Sequence, residues 1–272
     1  GTELRHPLNR AADLQPVSEQ VGNLRLMHTE RPKWRTVSGG SRNYVAKVAD
    51  LLGDRLKVSS PVKRVSKFGA KVRIDLDSGQ THLFDDVILA VHSDQARDML
   101  GAEFETERFL LKSIRYRPNQ IYLHRDASFM PKRQAAWASW NVLGEQSGDA
   151  SICLTYWMNR LQNLPEDKPL FVTLNPENPP QSVFKMVEFD HPQFDAAAEA
   201  AKRSLERLQG KDGVWFAGAW LGSGFHEDGL KSGLKPALSL GGEVEWTPEG
   251  VDIVDRVRTP GVRVSQIAEA AN

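Results

Sequence analysis

The sequence holds one cysteine, no long apolar run and no excess of charge of either sign. Cys153 has no second cysteine to pair with, which excludes an internal disulfide and leads us to expect a reducing, cytoplasmic compartment. No apolar run approaches the ~18 residues that a membrane-spanning helix needs. The 35 basic residues equal the 35 acidic residues, and this balance disfavours nucleic acid as a ligand.

Motifs for several kinds of catalysis are also missing. There is no G-x-S-x-G turn, no H-E-x-x-H pair and no basic neighbour for Cys153, so nucleophilic and zinc catalysis have no support. A G-x-G-x-x-G phosphate loop is absent, because Gly229 follows Gly222 and Gly224 too late for that spacing. The chain starts at Gly1 rather than at a methionine, and we expect it to be a piece of something longer.

Hydrophobic periodicity indicates two kinds of segment. Helical spacing runs from the N-cap candidate Ser41 to Gly53, and the apolar run Val87–Val91 predicts a strand buried on both faces. Residues 104–190 differ, since they predict an aromatic-rich sheet. Its strand candidates are residues 121–123, 136–140, 152–157, 171–174 and 183–187, while a hairpin is predicted around 62–76 and a helix over 194–209. This order predicts a nucleotide-binding domain interrupted by a substrate domain.

The most informative stretch is residues 214–230, where an apolar strand enters a glycine-rich turn and then a helix. The first N–H groups of a helix have no partner within it, and the helix dipole adds positive potential there. Such a site suits a phosphate or a reducing flavin ring. The alternative is an ordinary strand-to-helix connection that needs glycine for positive φ.

Two neighbouring patterns have competing interpretations. His226, Glu227 and Asp228 are consecutive and point in different directions, so we do not expect them to bind a metal ion together. The acidic pair is better explained by the preference for acids in a first helical turn. Ser38–Ser41 fits a phosphate-binding nest, yet a glycine turn followed by a serine cap explains it equally well.

Three separated segments together resemble the flavin-containing amine oxidoreductases, the superfamily of monoamine oxidases and carotenoid desaturases. The subgroup most similar is found beside, or fused to, cyclopropane-fatty-acid synthases. The segments are Arg31–Val45, Val87–Ala96 and Phe216–Gly233, and they occur in the order of the family. The resemblance covers roughly residues 25–242.

The resemblance implies an α/β (α+β), glutathione-reductase-like FAD-binding fold that is incomplete at its N-terminus and carries an inserted mixed-sheet substrate domain. The FAD-binding domain would comprise residues 34–103 and 210–242, the substrate domain 104–209, and the peripheral segments 1–33 and 243–272. No catalytic residue and no metal ligand is assigned. The residues implied to bind FAD are Trp34, Gly39, Gly40, Val62, Gly218, Gly224, Asp228, Gly229 and Leu230.

The expected function is an FAD-dependent oxidoreductase that transfers hydride from a substrate C–H bond to flavin N5. We expect a small-molecule substrate that is hydrophobic, such as a lipid, or amine-like. We also expect a missing N-terminal dinucleotide-binding unit that was removed, lost or supplied by a second chain. Asn119 stands where amine oxidases of the superfamily often carry lysine, which puts amine oxidation in doubt. The alternatives are a non-catalytic domain that acts through partners and a protein that binds NAD(P) at Gly222–Gly229.

Overall fold

The structure is a computed structural model, and it describes residues 36–143 and 153–244. These residues form two compact units, the first with residues 36–57, 116–143 and 153–191, the second with residues 58–115 and 192–244. The helices are α1 Arg42–Leu52, α2 Ser93–Met99, α3 Glu105–Lys112, α4 Met158–Gln162, α5 Ala196–Glu206 and α6 His226–Ser239. The strands are β1 Val62–Phe68, β2 Lys71–Leu76, β3 Thr81–Phe84, β4 Val87–Leu89, β5 Tyr116–His124, β6 Trp140–Leu143, β7 Cys153–Trp157, β8 Phe171–Leu174, β9 Val183–Pro192 and β10 Val214–Phe216.

The second unit contains two small sheets. Strands β1, β2 and β3 form an antiparallel meander, in which Val65 of β1 pairs with Ile74 of β2. Strand β4 pairs in parallel with β10, and Ile88 lies opposite Trp215. The mixed α/β architecture expected from the sequence is therefore confirmed.

Strand β4 differs from its expected burial. Val87 and Leu89 are buried, whereas Ile88 is 41% exposed and Ala90 is also exposed. The prediction of a strand buried on both faces is wrong for the described residues. The physical reason is that the side chains of successive strand residues point to opposite faces, and only the face of Val87 and Leu89 is covered.

The first unit is built on a five-stranded sheet in the order β6-β7-β8-β5-β9. Some of the aromatic residues predicted to share one face are in contact. The centre of the Trp137 ring lies 5.2 Å from that of Trp157 and 5.6 Å from that of Phe171, edge to face in both cases. Trp140 pairs with Tyr156 across β6 and β7 but is 47% exposed. Edge-to-face packing of this kind stabilises a core beyond the area that it buries.

Some elements differ from the sequence-based expectation. The strand predicted over 136–140 is irregular up to Trp140, because the Asn141 side chain accepts from the Ala138 N–H at 3.0 Å and donates to its carbonyl at 2.7 Å. These bonds replace those of a strand ladder. Helix α3 and strand β3 are elements that the sequence analysis does not predict.

None of the helices within residues 36–143 and 153–244 is long and apolar enough to cross a membrane.

The two ends of the segment between α3 and α5 are held together in the second unit. The Gln193 N–H donates to the Arg115 carbonyl at 2.8 Å. The Arg115 guanidinium lies 2.6 Å from the Asp195 carboxylate, which also caps α5 by accepting from the Ala198 N–H. We call this closed pair of chain ends the stem.

A chain of hydrogen bonds crosses the interior of the first unit. The Asp126 N–H donates to His124 Nδ1 at 3.1 Å, so the ring proton lies on Nε2, which donates to Thr173 Oγ1 at 2.7 Å. A further hydrogen bond joins Thr173 Oγ1 and Thr155 Oγ1 at 2.8 Å. Because His124 is fully buried, burial lowers its pKa, and the nearby Asp126 carboxylate opposes that shift more weakly. The chain of bonds therefore requires a neutral imidazole.

This neutral histidine predicts a loss of stability in acid. In the folded state the pKa of His124 lies below its unfolded value of 6.5, so the unfolded chain binds more protons and stability falls as the pH drops below that value. We expect His124→Gln to be less stable at neutral pH but to lose less on going from about pH 7 to about pH 5. Urea denaturation at both pH values measures this.

The exposed His82 provides the control for this measurement. His82→Gln should retain the acid-induced loss of the wild-type chain. An identical pH dependence in His124→Gln and the wild type would contradict the requirement for a neutral imidazole.

Candidate functional site

The site begins at Gly218, directly after β10. Its φ of 152° and ψ of 152° favour glycine, and a Cβ there would lie 2.5 Å from the indole nitrogen of Trp220. The Gly218 N–H donates to Ser232 Oγ of helix α6 at 2.9 Å. Trp220 is buried, and its indole N–H donates to the Val91 carbonyl at 2.9 Å. The turn is thereby fixed to the end of β4 and to α6.

The glycine turn that follows is held by the Asp228 side chain. One carboxylate oxygen accepts from the Ser223 N–H at 3.1 Å and from the Phe225 N–H at 2.9 Å. A Cβ on Gly222 would lie 2.4 Å from the Asp228 carboxyl carbon, so a glycine is required for this approach. At Gly224, where φ is +91°, the conformation itself favours glycine. The carboxylate thus fixes the turn against the start of α6.

Helix α6 starts without a side-chain cap at Phe225. The Gly229 N–H donates to the Phe225 carbonyl at 3.1 Å, which is the first bond of the helical pattern. The amides that precede helical bonding therefore belong to His226, Glu227 and Asp228 rather than to Gly229 and Leu230. Gly229 can contribute a bare backbone surface, and Leu230 is a half-exposed side chain one residue later.

Two glycines leave the backbone of α6 uncovered. A Cβ on Gly229 would meet only Ala219, at an ordinary 3.8 Å, and a Cβ on Gly233 would meet nothing within 4 Å among the described residues. Glycine in a helix interior costs ~1 kcal/mol relative to alanine, and no contact in this part of the chain requires it. The amides that precede helical bonding, the positive helix end and the bare backbone at Gly229, in the first turn, fit a flat electron-rich ring such as a flavin.

The implied FAD-binding residues do not all fall in one place. Gly218, Gly224, Asp228, Gly229 and Leu230 come together in the turn and the first turns of α6, in the second unit. Val62 opens β1 in the same unit, with a bulge in its pairing to β2.

The remaining implied residues lie elsewhere. Gly39 and Gly40 belong to the first unit, with φ of 81° and 90°, and the Gly40 N–H donates to the Val37 carbonyl at 2.9 Å. Ser41 precedes α1 as expected, but its side chain makes no capping bond. Trp34 lies outside the described residues.

The parallel pair of strands has two unlike edges. Facing away from β4, the Phe216 N–H donates to the Gln209 side-chain oxygen at 2.8 Å, and the Gln209 amide donates to the Phe216 carbonyl at 2.9 Å. The Gly210 N–H donates to the Val214 carbonyl at 2.9 Å on the same side. Gln209 is itself buried. The outer edge of β10 is therefore capped.

The outer edge of β4 is bare in comparison. The Ala217 N–H donates to the Leu89 carbonyl, and with the parallel register this directs the N–H and C=O of Ile88 away from β10. Within residues 36–143 and 153–244 these two Ile88 groups have no hydrogen-bond partner. Gln209 and Ser232 were missed by sequence reasoning, because side-chain caps of a strand edge have no sequence spacing of their own.

Both polar groups of the Asn119 side chain are hydrogen-bonded. Its side-chain amide donates to the Arg117 carbonyl at 3.0 Å, and its oxygen accepts from Asn175 at 2.7 Å. Asn119 is buried within β5, two residues before Ile121, where the pairing with β8 begins. Its polar atoms are used within the sheet. Among the described residues, no group of three or more His, Cys, Asp or Glu side chains is placed to hold a metal ion.

Comparisons with known proteins bear on the family of the chain and on its fold. Residues 10–174, more than half of the chain, match the family described as Flavin containing amine oxidoreductase. No curated protein sequence matches the chain. Similar solved structures include a CLA-producing fatty acid isomerase from P. acnes (13% identity, TM-score 0.50, covering 74% of this chain and 51% of that one).

Two further structures are similar to the same extent. They are cyclohexylamine oxidase from Brevibacterium oxydans IH-35A (15% identity, TM-score 0.51, covering 74% and 52%) and a reduced UDP-galactopyranose mutase (12% identity, TM-score 0.52, covering 75% and 53%). The chain thus spans about half the length of these structures, and the likeness shows a shared fold. From the family match, the chain belongs to the flavin-containing amine oxidoreductases.

Proposed function

We propose that this chain is the closing, cofactor-facing part of an FAD-dependent oxidoreductase. FAD, when bound, would supply an acceptor for hydride from a C–H bond of the substrate, at its N5 atom. The observation that carries this proposal is the start of α6, where uncapped amides follow a turn that Asp228 holds rigid. Preorganised N–H donors of this kind stabilise negative charge without having to reorganise.

Each residue of the turn has a defined part in this proposal. Gly218 and Trp220 set the direction in which the chain leaves β10. His226, Glu227 and Asp228 offer backbone N–H groups to the electron-rich part of the cofactor. Gly229 allows the ring to approach the helix backbone because it has no side chain. The Asp228 carboxylate accepts two amides of the turn and thereby holds the turn in place.

The other implied residues enter as part of the same proposal. The backbone of Val62, at the start of β1, would hold the adenine edge, and the resemblance to the family implies Trp34, Gly39 and Gly40 as further residues that bind FAD. The positive φ of both glycines supports a tight turn there. The FAD-binding domain would comprise residues 34–103 and 210–242, and residues 104–209 the substrate domain.

We propose that a dinucleotide-binding unit, from the same polypeptide or another, adds a parallel strand beside β4. Parallel sheets bury both faces, yet Ile88 is exposed and its edge N–H and C=O have no partner among the described residues. The opposite edge, at β10, is capped by Gln209 and Gly210. The asymmetry supports an added strand at β4 alone.

The substrate is proposed to be small and either hydrophobic or amine-like. Asn119 replaces the lysine expected of many amine oxidases, and its side chain is occupied by Arg117 and Asn175. This favours a substrate other than a simple polar amine. Among the similar structures are both a fatty acid isomerase and an amine oxidase, so the fold serves both kinds of substrate.

A second candidate is a non-catalytic domain that binds little flavin and acts through partners. The observation that favours it is the absence of a G-x-G-x-x-G loop from the sequence. Binding of FAD distinguishes the oxidoreductase from the non-catalytic domain. A chain that quenches FAD fluorescence saturably supports the oxidoreductase, whereas a chain that stays colourless with FAD supports the non-catalytic domain. Saturable binding of NAD(P) alone would assign the turn to another dinucleotide.

Replacing Gly229 by alanine tests the flavin-facing surface. The new methyl group fits the chain itself, so the free energy of unfolding should rise by about 0.5–1 kcal/mol from helix propensity. FAD affinity should fall by about tenfold, because a 1.4 kcal/mol clash with the ring corresponds to that factor. Thermal unfolding without FAD and fluorescence titration with FAD measure the two effects.

Gly233→Ala is the matched control, one turn further along the same helix. It should bring the same gain in stability with no change in FAD affinity. Equal FAD affinities for Gly229→Ala and the wild-type chain would contradict a ring at the start of α6.

A further inference from the structure

Lys202 is a buried lysine on the apolar face of helix α5. It is only 7% exposed, and its neighbours on that face are the buried Ala198, Ala201 and Leu205. A charge removed from water costs free energy unless it is paired and hydrogen-bonded. An apolar residue would fill this place without that cost, so the contacts of the ammonium group decide what Lys202 does.

The ammonium group reaches the glycine turn. Lys202 Nζ donates to the Gly222 carbonyl at 2.7 Å and forms an ion pair with Glu199, one turn earlier on α5. It also lies 4.9 Å from the centre of the Phe194 ring. Glu199 is partly exposed and lies on the same helix, whereas the Gly222 carbonyl is the partner that links the ammonium group to the glycine turn.

The Phe194 ring also packs against the glycine turn. A Cβ on Gly224 would lie 3.1 Å from the Phe194 ring, which therefore contacts both the turn and Lys202. The Gly222 and Gly224 N–H groups both donate to the Ala219 carbonyl. With Lys202 on the Gly222 carbonyl, the backbone N–H and C=O of Gly222 are both occupied. The turn is thus held on one side by Asp228 and on the other by Lys202.

We propose that Lys202 is a positioning residue for the cofactor site. It holds the Gly222–Gly224 turn in the orientation that directs the first amides of α6 outward, and its positive charge adds to that of the helix start. The inference rests on the proposed flavin function, and it adds to the cofactor site a residue of α5 that lies outside both the turn and helix α6. Its part in holding the turn stands independently of that function.

Lys202→Met tests this role because methionine keeps the apolar stem and removes the ammonium group. We expect amide exchange at Ser223 and Phe225 to become about tenfold faster without cofactor, since a charge-assisted hydrogen bond is lost. FAD affinity should fall by about tenfold for the same reason. The midpoint potential of the bound flavin should become more negative, because a nearby positive charge is gone.

Two variants control the experiment. Lys235→Met removes an ammonium group that is similarly shielded and pairs with Glu206, and Lys235 lies on helix α6 ten residues after Phe225. It should leave turn exchange, affinity and potential unchanged. Lys202→Arg keeps the positive charge, so it should retain the wild-type potential even where the bulkier group loosens the turn.

The outcomes separate the two proposals. If the wild-type chain takes up no FAD, the proposed function fails, while amide exchange still decides whether Lys202 holds the turn. If Lys202→Met leaves exchange at Ser223 and Phe225 unchanged, or if Lys235→Met accelerates it equally, the positioning role is wrong. Faster exchange with unaltered affinity and potential limits Lys202 to the fold and overturns its role at the cofactor site.

Discussion

Replacing Gln209 by leucine is expected to lower the free energy of unfolding of the second unit by about 2–4 kcal/mol. The substitution leaves two buried backbone groups of Phe216 without partners, and each such group costs ~1–3 kcal/mol. The two bonds, of 2.8 and 2.9 Å, both come from the one buried side chain. Urea denaturation gives the stability, and amide exchange at Phe216 reports the loss at the site itself.

Variants elsewhere in the same unit provide the comparison. Gln80→Leu, at an exposed turn, should change the stability by no more than ~0.5 kcal/mol. Ile88→Pro removes an N–H at the opposite edge that has no partner among the described residues, so it should cost less than Gln209→Leu. If Ile88→Pro proves the more damaging of the two, the contrast between a capped and a bare edge is mistaken.

Replacing Asp228 by alanine is expected to affect both stability and cofactor binding. The Ser223 and Phe225 amides lose their shared acceptor, and hydrogen bonds to a charged group contribute ~1.5–3 kcal/mol each. Because both amides are near the surface and water replaces the carboxylate, we expect a net loss of about 1–3 kcal/mol. FAD affinity should fall by at least about tenfold, since the turn no longer directs α6.

Asparagine at the same position separates geometry from charge. Both amides bind the same carboxylate oxygen, so Asp228→Asn can preserve the two bonds with its carbonyl oxygen while removing the charge. Its losses should lie between those of Asp228→Ala and the wild type. Glu227→Ala is the matched control, because Glu227 is exposed and pairs only loosely with Lys231 at 3.7 Å. Equal losses in Glu227→Ala and Asp228→Ala would argue against a specific role for Asp228.

Local chemistry explains which elements the sequence could predict. The helix between Ser41 and Gly53 has an apolar period and a glycine stop, and both are properties of neighbouring residues. The hairpin of β1 and β2 and the strand, turn and helix around Gly218–Gly229 were predictable for the same reason. Each depends on side-chain alternation or on glycine conformations that the sequence displays directly.

Long-range contacts explain what the sequence could not predict. Lys202 and Gln209 meet their partners 20 and 7 residues away, respectively, and nothing in the spacing marks these pairs. Helix α3 did carry a signal, with Glu105 and Glu107 in its first turn and Lys112 in its last. The aromatic pattern of residues 104–190 predicts a sheet for the same segment, and the structure follows the helical signal instead.

The stem at Arg115 and Gln193 bears on how the protein folds. β4 and β10 pair through residues as distant as Val87 and Val214, and closing so long a loop is entropically costly. Once the intervening segment has folded and its ends are bonded at the stem, the loop to be closed no longer includes residues 116–192. The segment is then a module, and its replacement by a different one with similarly spaced ends should leave pairing of the two strands intact.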